Sequence, residues 1–302
     1  MTREELNKEM KQEIDNERKS TRNKKIVMIS IKIMIFLIIF LVAFYAYITY
    51  VSTVVIGVRE YRIINSKIPD AFNGLKIIQF SDLHFGSTMF NENVDTIVNL
   101  TNVRNPDIIV FTGDLIDKNY KLESKEQEKL IEKLKSMNAK LGKYAILGDE
   151  DNEKISTIFN QSDFLILRND YELIYKDENN PILLIGINTK DMDIDKSFDY
   201  YNLENHNSNI YTMTLVHKPD VVDNIKSSYH SDLYMSGHSH NGNVRIPFIN
   251  YSLFNVNGAK KYNQDYYKIG DSELYISSGL GTTKGFRLFC RPSINFYRLS
   301  NK

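Results

Sequence analysis

The chain has 302 residues, 42% of them hydrophobic, enough for one large core, and it carries neither a low-complexity tract nor an internal repeat. Its 38 basic and 38 acidic residues balance to zero, which excludes the broad basic field that draws nucleic acid. The single cysteine, Cys290, excludes an internal disulfide framework and a multi-cysteine zinc site, and reads as a buried thiol.

In chain order, residues 1–25 form a basic tail ending in Arg18, Lys19, Arg22, Lys24 and Lys25 with no acid between them. From Ile33 to Val58 no charged residue occurs. At about 1.5 Å rise per residue this run crosses a hydrocarbon layer of roughly 30 Å, with Tyr45, Tyr47 and Tyr50 suited to the far interface. One transmembrane helix is predicted near residues 28–50, inside an anchor and connector spanning 26–58. The run is too long for a signal-peptide h-region, and no small-residue cleavage site follows it. Positive-inside asymmetry keeps residues 1–25 cytoplasmic and places 59–302 outside the membrane as a single-pass cell-membrane protein.

The body then alternates short apolar runs with amphipathic segments. "LKIIQF", "DIIVFTG", "YAILG", "ILLIGIN", "YTMTLVH", "DLYMSG" and "ELYISSG" predict buried strands. In "KLESKEQEKLIEKLKSM", Leu130, Ile131, Leu134 and Met137 share one face of a covering helix. This rhythm predicts an α/β layered domain with ligands at the C-terminal ends of the strands.

Those ends carry hard and borderline metal ligands. "SDLHFG" supplies Asp82 and His84, "TGDLID" supplies Asp114 and Asp117, and "LGDED" supplies Asp149, Glu150 and Asp151. "TLVHKPD" adds His217, and "GHSHNG" adds His238 and His240. Carboxylate oxygen together with imidazole nitrogen suits Mn, Fe or Zn, whereas calcium or magnesium prefers oxygen alone. Each motif singly is an ordinary turn or core histidine; the ordered set is what predicts a metal site. His206 and His230 have no partner pattern and read as ordinary histidines.

The order D-x-H, G-D-x-x-D, a glycine-led third motif, an isolated H and G-H-x-H resembles the calcineurin-like metallophosphoesterase superfamily over about residues 60–300. "GHSHNGNVRIPF" and "SSGLGTTKGFRLFCRPSINFYRL" are similar to its membrane-anchored bacterial branch, which includes cell-surface phosphodiesterases and lipid-linked pyrophosphatases. The resemblance implies a β-sandwich of two sheets flanked by helices, here preceded by the transmembrane helix. It implies two divalent transition-metal ions, one on Asp82, His84 and His240, the second on Asp149, His217 and His238, with Asp114 bridging both. It also implies hydrolysis of a phosphodiester or pyrophosphate by a water activated between the metals. The sequence does not specify the natural substrate; a domain tethered a few residues from the bilayer is within reach of lipid-linked or cell-wall phosphate esters. Asp117 is then a positioning residue.

The third motif departs from the family's G-N-H-D or G-N-H-E. Asp149 takes the place of the metal-binding asparagine, and Glu150 that of the histidine acting as acid or transition-state donor. Shifting the register to use Asn152 would carry its side chain three residues past the strand end. With two dications, Asp82 and Asp114 leave about +2, Asp149 reduces this to about +1, and an ionised Glu150 brings it to about zero, weakening the pull on phosphate. Two readings follow: an active enzyme with shifted metal or substrate preference, in which Asp114 and Glu150 are the catalytic positions, or a metal-binding surface module with little turnover.

Overall fold

The structure, a computed structural model, describes residues 2–177, 179–188, 210–226, 230–246, 251–252, 254 and 256–302. His206 lies outside the described residues. The chain divides into two compact units, 1–48 and 49–302.

The first unit is one helix, α1 (Arg3–Ala46). It extends much further toward the N-terminus than the apolar run alone predicts. Residues 1–46 contain neither Gly nor Pro, and the tail is rich in Glu, Lys, Arg and Gln, all good helix formers. Thr2 caps it: its hydroxyl accepts the Glu5 amide at 3.4 Å, and the Glu5 carboxylate accepts the Thr2 amide at 2.7 Å. At about 1.5 Å per residue the helix is roughly 66 Å long, and by length and composition it can cross a membrane.

The second unit is a two-sheet sandwich. One sheet holds β1 (Gly57–Ile64), β2 (Lys76–Phe80), β3 (Ile108–Thr112), β4 (Lys143–Ile146), β5 (Leu165–Ile166) and β14 (Ser293–Ser300), in the order β1-β14-β2-β3-β4-β5. The other holds β6 (Asp170–Ile174), β7 (Ile182–Ile187), β8 (Thr212–Val216), β9 (Leu233–Ser236), β12 (Tyr266–Ile269) and β13 (Ser272–Ile276), in the order β12-β13-β9-β8-β7-β6. A two-stranded ribbon, β10 (Arg245–Ile246) with β11 (Tyr251–Ser252), stands apart. Within the sheets β2 to β5 run parallel, as do β7, β8, β9 and β13. All seven predicted strands are present.

Period-2 alternation sorts the side chains into layers. Ile77, Val110 and Ile146 meet Leu184, Met213 and Met235 between the sheets. Ile78, Phe80, Ile109 and Phe111 face the other way, under α2 (Asn91–Asn102), α3 (Ser124–Lys135) and α4 (Glu153–Gln161), which contribute Ile97, Leu130, Leu134 and Phe159. On the far face, Ile185, Tyr234 and Leu274 pack with Val222 and Ile225 of a single-turn helix. At the end of the interlayer core a buried polar network ties the sheets together. Gln79 donates to Thr112 Oγ1 at 3.1 Å and to the Ser236 carbonyl at 2.9 Å, and it accepts from Tyr297 at 2.6 Å. In-register parallel pairs such as Phe80 with Phe111 and Val216 with Ser236 then bring the C-terminal ends of both sheets to one edge.

Candidate metal centre

Five residues just past those strand ends adopt left-handed backbone: Asp82 (φ 50°), His84 (41°), Asp114 (61°), His238 (65°) and His240 (45°). Each such non-glycine conformation costs on the order of 1–3 kcal/mol, and clusters of them mark sites whose geometry serves something other than stability. Glycines make room for the carboxylates. A Cβ on Gly237 would lie 2.5 Å from Asp82 Oδ2, and one on Gly148 would lie 2.3 Å from Asp114 Oδ1.

The side chains gather in two mixed groups, Asp82 with His84 and His240, and Asp114 with His217 and His238, while His84 also belongs to a third with Asp117 and Glu150; in each group the ligand atoms lie within 4.8 Å of one another. Asp114 Oδ2 stands 3.1 Å from His217 Nε2 and 3.9 Å from His84 Nε2, so one oxygen faces both groups. Its Oδ1 is held by the Glu150 amide at 2.9 Å.

The distal ring nitrogens fix which atom each histidine presents. His217 Nδ1 donates to the Thr112 carbonyl at 2.7 Å, His240 Nδ1 to Gly281 at 3.1 Å, and His238 Nε2 to Asn257 at 2.7 Å. His84 Nδ1 lies 3.3 Å from Glu150 Oε2. What remains is one lone-pair nitrogen per ring, and these point at one another: His84 Nε2 and His240 Nε2 at 3.1 Å, His217 Nε2 and His238 Nδ1 at 3.2 Å. Opposed lone pairs at that spacing repel unless a proton or a cation lies between them. This donor set fits a divalent metal in each group.

Without a cation, the facing carboxylates favour a proton in its place. Burial disfavours a charged His217, but the Asp114 carboxylate outweighs it and raises the imidazole to about 10. Burial likewise opposes charge on His84, yet Glu150, Asp114 and Asp82 raise it. His240 is held well below the usual range by burial and by the neighbouring His84 and Arg287. The Asp114 carboxyl lies far below the usual range despite burial, because His217 and His84 face it.

The three consecutive acids of the third motif separate completely. Asp149, expected from the sequence to bind the second metal, pairs with Lys218 Nζ at 2.8 Å, and its carboxylate falls in neither group. Glu150 turns toward His84, accepts the Lys118 amide at 3.1 Å, and lies within 4.8 Å of Asp117 and His84 ligand atoms. Asp151 is buried and accepts three amides, from Asp114 and Gly148 at 2.8 Å and from Leu115 at 2.9 Å. Burial and the nearby Asp114 charge still push it up to about 6. It pins the second and third strand-end loops together, a role hidden in a run of like charges. Asp151→Ala should strand those three amides and cost roughly 2–5 kcal/mol. Urea unfolding of the full chain in detergent measures this, and an unchanged midpoint would refute the role.

Arg287 is a second residue the motifs did not flag. Fully buried, it donates to the carbonyls of Ser278 at 2.7 Å and Gly281 at 2.6 Å, and so backs the same Gly281 carbonyl that orients His240. Cys290, buried as expected, donates its thiol to the His240 carbonyl at 3.2 Å. His230 pairs with Asp232 at 3.1 Å, within neither group.

This fold and donor set belong to a known class. The profile of the calcineurin-like phosphoesterase family matches residues 75–242, and the chain belongs to that family. It is a metal-dependent phosphoester hydrolase. Among its relatives is the uncharacterised metallophosphoesterase YkuE of Bacillus subtilis, 30% identical over 85% of this chain and 90% of that one. The UDP-2,3-diacylglucosamine pyrophosphatase LpxG of Chlamydia muridarum is 28% identical over 77% of this chain and 86% of its own length. A transmembrane protein with a metallophosphoesterase domain from Danio rerio is 25% identical over 59% of this chain and 43% of its own.

Proposed function

We propose that this chain is a single-pass membrane enzyme that hydrolyses phosphodiester or pyrophosphate bonds with two divalent transition-metal ions, Mn, Fe or Zn. The observation that carries this reading is the pair of opposed ring nitrogens in each group, with Asp114 Oδ2 facing both groups. Asp82, His84 and His240 would hold one ion and Asp114, His217 and His238 the other, with Asp114 shared. Two such cations make water a nucleophile near neutral pH and offset charge on the phosphoryl oxygens. Asp149 would reach the second ion only by leaving Lys218. Glu150, at the family's acid position, faces His84 Nδ1 at 3.3 Å and would act as its charge partner.

The long apolar helix and the basic residues Arg18, Lys19, Arg22, Lys24 and Lys25 before it support an anchored protein with the domain outside. The pyrophosphatase activity in the name of the LpxG relative supports a lipid-linked phosphate ester as substrate class. The test is hydrolysis of bis-p-nitrophenyl phosphate by the full chain in detergent. Turnover should vanish with a chelator and return with manganese. Turnover that persists in the chelator refutes the reading, and metal binding without turnover under any metal supports a binding module instead.

A further inference from the structure

Lys218 follows His217 directly, and its ammonium is 2.8 Å from Asp149 Oδ2. The side chain is 27% exposed and that of Asp149 30%, whereas His217 is fully buried and Asp114 almost so. The ion pair therefore forms part of the rim beside the second group. Both ends of the lysine are fixed. Its stem lies so close to Gly258 that an added Cβ there would approach Lys218 Cδ to 2.7 Å and Cγ to 2.8 Å. The Gly258 carbonyl accepts the Asp220 amide at 2.9 Å, and the preceding Asn257 carbonyl accepts from His238. One short loop thus holds both the lysine stem and a histidine of the centre. A side chain ordered in advance loses little entropy on meeting a ligand.

The ammonium carries three N–H donors and spends one on Asp149. Among the described residues no other side chain is bonded to it, which leaves donors for oxygens arriving at the rim. Asp149 and Glu150 would repel any anionic group placed beside the attacked phosphorus, and Lys218 is the cation positioned to offset that repulsion on the Asp149 side. Lys218 directly follows His217 of the second group, and its partner Asp149 follows Gly148, which abuts Asp114, so the ammonium stands beside that group.

We propose that Lys218 is a substrate-binding residue for a second phosphoryl group, making the site selective for pyrophosphate diesters over simple phosphodiesters; the inference rests on the function proposed above. It is tested on the full chain in detergent with manganese, by calorimetric binding of the α,β-methylene analogue of a nucleoside diphosphate sugar, whose P–C–P bridge stands in for the P–O–P linkage and cannot be hydrolysed. Metal content and the KM for bis-p-nitrophenyl phosphate are measured alongside. Lys218→Met should weaken analogue binding about tenfold or more, the scale of one charged hydrogen bond, and Lys218→Arg should recover most of it. The KM for the simple diester should stay within about threefold and the metal content should not change. Equal weakening toward both ligands, no weakening, loss of metal in Lys218→Met, or failure of the wild type to bind the analogue would each overturn the proposal. Lysine-dependent binding of the analogue by a wild type that turns over no substrate would leave the subsite standing and defeat the hydrolase reading instead.

Discussion

Asp114→Asn is expected to lower turnover of bis-p-nitrophenyl phosphate by at least about 10²-fold, the scale of losing one preorganised electrostatic contact at a reacting centre, and to prevent retention of two metals. The carboxylate oxygen that faces both histidine groups, 3.1 Å from His217 and 3.9 Å from His84, is the atom replaced or neutralised. An amide has no negative charge to share between two cations. The fold should survive, because asparagine Oδ1 can still accept the Glu150 amide, and the Asp114 main-chain N–H keeps its bond to Asp151. A second signature separates this from general damage. His217 owes its rise to about 10 to the Asp114 carboxylate, so in the metal-free variant the imidazole should titrate lower, readable by NMR. A variant that keeps two metals per chain and full turnover would rule out the shared carboxylate.

Glu150→His should change leaving-group dependence more than rate alone. The substitution removes the carboxylate facing His84 Nδ1 at 3.3 Å and puts a donor where the family carries one. A well-placed acid contributes about 10² to 10⁴ in rate where the leaving group needs its proton. The ratio of alkyl-diester to nitrophenyl-diester turnover should therefore rise by up to about that range. Nitrophenyl turnover itself should fall modestly as His84 loses the carboxylate beside its Nδ1. The Glu150 amide bond to Asp114 is main chain and persists in the variant. Glu150→Gln keeps an acceptor for His84 and should stay near wild type on both substrates. Loss of turnover on both substrates in Glu150→His and Glu150→Gln alike would make Glu150 itself a participant in the reaction.

The seven central strands were legible because each is a run of apolar residues buried on both faces, and their polar ends pointed to the centre. The other seven described strands were not, β1 and β14 among them. β1 reads "GVREYRII" and β14 "SINFYRLS", each mixing charge with apolar residues, and their pairing joins Gly57 to Ser293 across most of the chain, where no local pattern reports it. Local signals did exist for two helices: Thr2 with Glu5 is a capping box, and Asn152 caps α4 by accepting the Lys154 amide. The third motif shows where residue type runs out. Asp149, Glu150 and Asp151 are alike as charges, yet one pairs with a lysine, one turns to a histidine, and one is buried on three amides. Only the path of the backbone after β4 distinguishes them. Arg287 was invisible for a related reason, since nothing about an arginine in a Gly- and Thr-rich tail marks it as fully buried behind His240.

The most direct test of the two-metal account is calorimetric titration of manganese into the chelator-stripped full chain in detergent, repeated from pH 6 to 9 in buffers of different ionisation enthalpy. His217 is raised to about 10 beside Asp114, which favours its charged form in the metal-free protein, and the His84 shift runs in the same direction. Metal must displace those protons, so apparent affinity should rise with pH, by up to about tenfold per unit for each proton released. The predicted result is two manganese ions per chain, with net proton release and hydrolysis that appears as the sites fill. Saturation at one ion or none, or hydrolysis by the stripped protein before any metal is added, would contradict it.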